Sequence, residues 1–326
     1  MMLSRVAENL YWMTRYIERA EDTARLINAV TLMSLDMPSE VKLGWDALLK
    51  VAGVNERFFL RYDEANEADV MRFLIQDEDN PSSIMMCITM ARENTRTFRE
   101  VLPWELWEWV NELYLFAKHE LPEHLERRQR YELLQGIIRR RQSIVGLLAG
   151  TMSRDDAFQF LRMGRNLERA DMTSRILDAS QAVILPTDSP AGPQLNDLLW
   201  MNILKSLSAY QMYRRHVSVH ASSSQVIDFL LKNQQFPRSV SHCLGEIVDV
   251  VQTLPRSAAV LKVVGKVQDR LRQADGTQLA GHGLHAFIDE VQLGLIAINQ
   301  AVRENYFRLQ DLAQRQSSTE AAEAEE

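Results

Sequence analysis

The chain repeats itself. Arg15-Tyr-Ile-Glu18-Arg19-Ala20-Glu21-Asp-Thr23-Ala-Arg25 returns as Arg165-Asn-Leu-Glu168-Arg169-Ala170-Asp171-Met-Thr173-Ser-Arg175. Further matches follow in the same order: Trp45 to Lys50 with Trp200 to Lys205, Phe73 to Asp77 with Phe229 to Asn233, and Pro81-Ser-Ser83-Ile84 and Cys87 with Pro237-Arg-Ser239-Val240 and Cys243. Collinear matches of this kind mark a duplicated unit, and a duplicated unit must bury its apolar faces against its own copy. The expected division is a first helical unit over 1–150, a second over 151–316, and an acidic tail over 317–326. The tail is small, polar and acidic, a composition that predicts disorder.

Apolar residues recur at three and four rather than at two. Leu10, Met13, Ile17, Ala20, Ala24 and Ile27 form one such stripe; Phe160, Met163, Leu167, Ala170 and Leu177 form another. These are helix faces. Short β-branched runs such as Val183-Ile184-Leu185 are too isolated for a sheet, so the fold class is all-α, as two tandem homologous bundles. The repeated Pro-x-Ser element reads as a helix start, with serine as cap and proline where a backbone N–H is not needed. Cys87 and Cys243, at matching places one turn further on, read as small buried core residues rather than as a redox pair.

At about 100° per residue, Glu21, Arg25, Glu18, Asp22 and Arg15 lie beside the apolar stripe of the first motif. Asp171, Arg175, Glu168 and Arg165 take the same places in the second. Glu21 to Arg25 and Asp171 to Arg175 are four apart with the acid first, the favourable order; Arg15 to Glu18 and Arg165 to Glu168 are three apart and can also pair. Tyr11, Trp12, Tyr16 and Leu26 put apolar surface on other sides, which predicts a helix surrounded by helices and charges partly buried with their partners. One reading of this set is a salt-bridge network that fixes register. The other is a site between facing helices, where Arg15, Arg25, Arg165 and Arg175 hold an anion and Glu18, Glu21, Glu168 and Asp171 orient them.

Other chemistries find little support. Lys plus Arg total 37 against 44 Asp plus Glu, a net charge of -7, which argues against a nucleic-acid binder. Arg139-Arg-Arg141 and Arg214-Arg215 therefore read as solvated faces or partner contacts. No Walker loop, Gly-x-Gly-x-x-Gly or Gly-x-Ser-x-Gly occurs. His216 with His220 and His282 with His285 lack the acid of a zinc-protease motif, and Glu18-x-x-Glu21 lacks the histidine of a di-metal bundle, so no metal and no cofactor is expected. Two cysteines, no long uncharged apolar run and a charged N-terminus predict a soluble cytoplasmic protein, with no membrane partner. Trp104 and Trp107 are expected to pack into the bundle, with Trp109 on another face.

Ser4-Arg-Val-Ala-Glu-Asn-Leu-Tyr-Trp-Met13, followed by Arg15-Tyr-Ile-Glu-Arg-Ala-Glu21 and Arg25, resembles the opening of the bacterial alpha-E domain family. Asn80-Pro-Ser-Ser-Ile84, Ala91-Arg-Glu-Asn94 and Phe236-Pro-Arg-Ser-Val240 resemble its later motifs. Thr14 departs from the glycine expected there, whereas Gly164 keeps it. The resemblance implies a helical protein that works beside ATP-grasp ligases and transglutaminase-like proteins, in a system that makes or modifies peptide or amide bonds. It supplies no catalytic residue. The expected function is thus an accessory subunit holding a peptide or acidic substrate. The alternatives are a self-sufficient enzyme using Glu18 and Glu168 as general acid and base, or a structural adaptor.

Overall fold

The computed structural model describes residues 4–36, 44–121, 126–182 and 192–307. All regular structure among them is helical. The chain runs through α1 (Ser4–Asp36), α2 (Asp46–Ala52), α3 (Asn55–Phe59), α4 (Glu67–Ile75), α5 (Ile84–Thr97), α6 (Trp104–His119) and α7 (Arg127–Thr151). It continues through α8 (Asp156–Ala182), α9 (Gly192–Ser206), α10 (Tyr210–His216), α11 (Ser223–Lys232), α12 (Val240–Thr253), α13 (Ala258–Gln273), α14 (Gly276–Gly281) and α15 (Leu284–Val302), and ends in a π-helical turn, Arg303–Phe307. The tail at 317–326 and the run Val183 to Leu185 lie outside the described residues. No described helix is long and apolar enough to cross a membrane.

Packing follows the stripes. α1 lies against α5, α5 against α6, α6 against α7, and α7 returns to α1. α8, α12, α13 and α15 close a second four-helix ring in the same order. The rings share a seam where α1 and α8 pack on each other. Two short helices cross it: α2, which follows α1, lies on α8, while α9, which follows α8, lies on α1. Every residue named in the two apolar stripes is buried. Tyr11 and Leu26 are buried as well, and Trp12 and Tyr16 pack half-buried against the core, so α1 is apolar on several sides because helices surround it.

Both Pro-x-Ser elements start helices. Ser83 caps α5 by accepting from the Met86 N–H at 3.2 Å, and Ser239 caps α12 by accepting from His242 at 3.1 Å. Cys87 and Cys243 are buried and free, with each Sγ directed at the carbonyl of the motif proline. Asn80 does not cap; its amide bonds the Phe73 carbonyl at 2.9 Å and pins the preceding turn.

The tryptophan expectation needs correcting. Trp104 is 66% exposed, whereas Trp107 and Trp109 are half-buried. Leu106, Val110 and Leu113 take the inward face of α6, and three-residue spacing from Trp107 puts Trp104 past the edge of that face. Trp107 instead stacks under the Arg92 guanidinium, which also lies over Tyr114.

The seam is narrowest at Gly164. A Cβ there would stand 2.2 Å from the Tyr11 carbonyl oxygen and 2.7 Å from Thr14 Oγ1. Thr14 fits opposite because its hydroxyl folds back onto its own helix, 3.1 Å from the same Tyr11 carbonyl. Glycine is thus needed on α8 but not on α1. Gly164→Ala is expected to destabilise the protein by about 1–3 kcal/mol through overpacking, and Thr14→Gly by about 0.3–0.5 kcal/mol from helix propensity. Urea unfolding of both variants checks this; equal stability of Gly164→Ala and the wild type would contradict the close approach.

Candidate functional site

The charged sides of α1 and α8 meet inside the seam. Glu18 and Glu21 are 0% exposed and Glu168 is 1% exposed, a burial that carboxylates tolerate only when paired. Each motif helix supplies acids to arginines of the other. Arg15 Nε donates to Glu168 Oε2 at 2.7 Å, and Arg19 grips the same carboxylate with Nε at 2.5 Å and Nη2 at 3.1 Å. In return, Arg169 Nε donates to Glu18 Oε1 at 2.5 Å. Asn299 of α15 completes the first set: its Oδ1 accepts from Arg15 Nη1 at 2.9 Å and from the Tyr11 hydroxyl at 2.7 Å.

The second set is more crowded. Arg141 of α7 reaches Glu18 Oε2 through Nη2 and lies 2.8 Å from Glu21 Oε2 through Nε, an ion pair without hydrogen-bond alignment. Arg238, at the start of α12, meets Asp22 Oδ1, Glu21 Oε2 at 3.2 Å and Glu18 Oε1 at 3.3 Å. Thr173 of α8 fixes that arginine by donating to its backbone carbonyl at 2.8 Å. Arg25 closes on Glu21 Oε1 at 2.6 and 2.8 Å, and Arg175 Nε on Asp171 Oδ2 at 3.0 Å.

Burial alone would push Glu168 up, but the Arg19 and Arg15 guanidiniums outweigh it and hold its carboxyl at about 2. Asp22 goes the other way. Burial exceeds the pull of Arg238, Glu21 adds repulsion, and its pKa rises to about 6. Arg141 is lowered by burial and then by three neighbouring guanidiniums, those of Arg169, Arg238 and Arg165. Arg165 is lowered to about 10 by burial and by Arg169. Around Glu18, cations outnumber anions.

The sequence-predicted residues separate accordingly. Arg15 and Glu168 belong to the first set, Glu18, Glu21 and Arg25 to the second, and Asp171 with Arg175 forms the expected pair four apart on α8. The expected Arg15 to Glu18 and Arg165 to Glu168 pairs within one helix are replaced, for Arg15 by the pair across the seam, since interhelical partners are buried and win. Arg165 makes no ion pair or hydrogen bond among the described residues, and its Nε is buried without an acceptor. It lines a narrow cleft with Arg141, Arg162, Glu18 and the apolar side chains of Met13 and Phe158. Arg162 there is tied to Glu246 at 2.7 Å.

Five contributors escaped the sequence reading: Arg19 and Arg169 within the motifs, and Arg141, Arg238 and Asn299 outside them. Arg141 is 4% exposed, so the basic run it ends is solvated at Arg139 only and half-buried at Arg140. The alternation of buried Leu134, Ile137, Ile138 and Ile144 with Arg141 on one face was the available signal. Arg238 stands opposite Ser82 in the repeat, and Asn299 lies on a helix without a motif. His285 also differs from expectation, with Nδ1 2.7 Å from Asp178 and Nε2 3.6 Å from Asp289 one turn on.

A family model named Alpha-E, described as a predicted alpha-helical domain with a conserved ER motif, matches residues 2–307, and the chain belongs to that family. Glu18-Arg19 and Glu168-Arg169, the pairs at the centre of the seam, are Glu-Arg dipeptides. Uncharacterized proteins of Mycobacterium bovis and Mycobacterium tuberculosis are each 24% identical over 321 residues, covering 90% of this chain. The chain spans 35% of the length of these curated relatives. No solved structure matches it.

Glu168→Gln leaves Arg15 and Arg19 sharing a neutral amide and is expected to cost about 3–5 kcal/mol. Asp22→Asn should cost less, because burial already disfavours the charged form of that carboxyl. The pKa of Glu168 falls from the ordinary 4.5 to about 2 on folding. Its contribution is therefore complete above pH 4.5 and lost as pH falls towards 2. Denaturant titrations across that range should show this acid-side loss in the wild type and its absence in Glu168→Gln. A variant that keeps the loss would assign it to other groups.

Proposed function

We propose that this Alpha-E protein is the helical binding component of a bacterial amide-bond-forming or peptide-modifying system, and that it holds a carboxylate of an acidic or peptide substrate beside Arg165. The observation that carries this reading is the buried Arg165 Nε without an acceptor, in a cleft where guanidiniums exceed carboxylates. Arginine cannot neutralise itself by losing a proton at ordinary pH, so a half-buried guanidinium without a protein acceptor is stabilised by an incoming anion. Arg15 and Arg25 serve mainly the seam, since each already holds a buried carboxylate of the protein. An ATP-grasp ligase and a transglutaminase-like protein are the proposed partners, in the cytoplasm. The proposal includes descent from a duplicated unit, divided at 150/151, with a disordered tail over 317–326; the matching order of packing in the two rings supports the duplication.

The adaptor reading draws on a different observation, the extent to which the rest of the seam satisfies itself. The enzyme reading through Glu18 and Glu168 has less support. Both carboxylates are sealed from solvent, and Glu168, held at about 2, carries no proton near neutrality.

Isothermal titration of the full chain with a short peptide ending in glutamate separates these readings. Losing a charged contact of this kind weakens binding roughly 10- to 100-fold, and that is the expected effect of Arg165→Gln. The same substitution should leave the melting temperature unchanged or raised, since no ion pair is broken. Capture of an ATP-grasp protein from the host by the tagged chain is expected alongside. Peptide binding that Arg165→Gln leaves intact would overturn the assignment, and partner capture without any peptide binding would favour the adaptor.

A further inference from the structure

A second polar cleft, of about 400 Å³, opens between α2, α8 and α15. It shares no residue with the cleft beside Arg165. Five of its lining side chains are polar: Lys50 from α2, Arg175 and Asp178 from α8, and His285 and Gln292 from α15. We infer that this cleft is a separate anion site, taking a small ligand with carboxylate or phosphate oxygens between Arg175, Lys50 and His285.

The fork of Arg175 is placed for that task. Its described hydrogen bond uses Nε, to Asp171 at 3.0 Å, and neither terminal nitrogen has a protein acceptor among the described residues. The guanidinium lies against Gly53, the C-cap of α2. Gly53 has a φ of +67°, and a Cβ there would stand 2.5 Å from Arg175 Nη1. Glycine serves twice here, allowing the left-handed cap and clearing space for the cation. A guanidinium fork with its terminal N–H groups open matches the two oxygens of a carboxylate or phosphate.

His285 adds a directed donor. Asp178 Oδ1 lies 2.7 Å from Nδ1, which orients the ring and raises its pKa, with Asp289 adding to the effect. With Nδ1–H given to Asp178, Nε2 carries a proton to donate only in the imidazolium form, and it lies 3.6 Å from Asp289. Asp178, His285 and Asp289 also bring three ligand atoms within 4.8 Å of one another, the spacing of a cation site. Arg175 and Lys50 line the same cleft, each paired to a carboxylate of its own helix, Asp171 and Asp46, and a divalent cation bound there would meet their like charge. Lys50 is paired to Asp46 at 2.8 Å but half exposed, free to swing between that carboxylate and a ligand.

The test is titration of the full chain with inorganic phosphate and, separately, with glutarate, followed by calorimetry and by the imidazole NMR signals of His285. Saturable binding of at least one probe is expected, and the probe that binds assigns the ligand as phosphate or carboxylate. Arg175→Gln and His285→Gln should each weaken it by about tenfold or more, while Arg165→Gln leaves it unchanged. That last arm keeps failure here distinct from failure of the Arg165 assignment. Both cleft side chains are partly exposed, so these variants are expected to fold, and their melting curves check it. Absence of saturation with either probe, or binding insensitive to both cleft variants, would overturn the inference. So would saturable zinc binding that His285→Gln abolishes.

Discussion

Two glutamates exchanged between two helices hold this molecule together. Glu18 of α1 is gripped by Arg169 of α8, and Glu168 of α8 by Arg15 and Arg19 of α1. Removing a carboxylate from water costs several kcal/mol before any partner is counted. Neither motif helix can therefore bury its acid alone, and each is completed by the other. The surrounding apolar stripes provide most of the favourable energy of burial, but they tolerate sliding. A carboxylate between two guanidinium forks does not, because a shift of one helical residue would leave it unpaired. The close approach at Gly164 and the ion pairs thus fix the same register by different physics, one through repulsion and one through attraction.

The repeat is matched in sequence but not in its partners. Arg15 and Arg165 hold corresponding places in the motif. Arg15 reaches Glu168, Tyr11 and Asn299, while Arg165 reaches none of its counterparts. The difference comes from α7. Arg141 enters the seam and occupies Glu18 Oε2, the oxygen that Arg165 would otherwise hold, whereas α15 offers the neutral Asn299 on the other side. Asp22, matched by Met172 in the second motif, brings in Arg238, where the first copy of that element carries Ser82. Two extra arginines entered one half together with one extra acid, and the surplus is left on Arg165.

The helical class, the motif helices and their buried stripes were legible in the sequence because spacing at three and four depends only on the local geometry of a helix. The serine caps were legible for the same reason. The ion-pair partners were not. A side chain four residues away is visible in sequence, and Glu21 with Arg25 was read correctly. A partner on another helix depends on how helices pack, and no local pattern around Arg15 points to Glu168. Arg141 was misread because a run of three arginines looks solvated until the helix turns one of them inward. No local pattern pairs His285 with Asp178, which lies 107 residues away along the chain.

The cationic surplus bears on function through a property of arginine that lysine and histidine lack. A buried lysine or histidine can discharge itself and remain in place. Arg165, lowered only to about 10, stays charged at neutral pH, and Arg175 keeps its terminal nitrogens charged beside a polar cleft. The two are ten residues apart on α8, roughly 15 Å along the axis and about 80° around it, which is why they open into clefts that share no lining residue. Between them Glu168 and Asp171 are already committed to Arg15, Arg19 and Arg175. Asp178 is the acid of α8 that lines the second opening, and no acid of α8 lines the cleft beside Arg165. Water can solvate these forks but cannot neutralise them. An anion does both, and the seam holds each fork in place before the anion arrives.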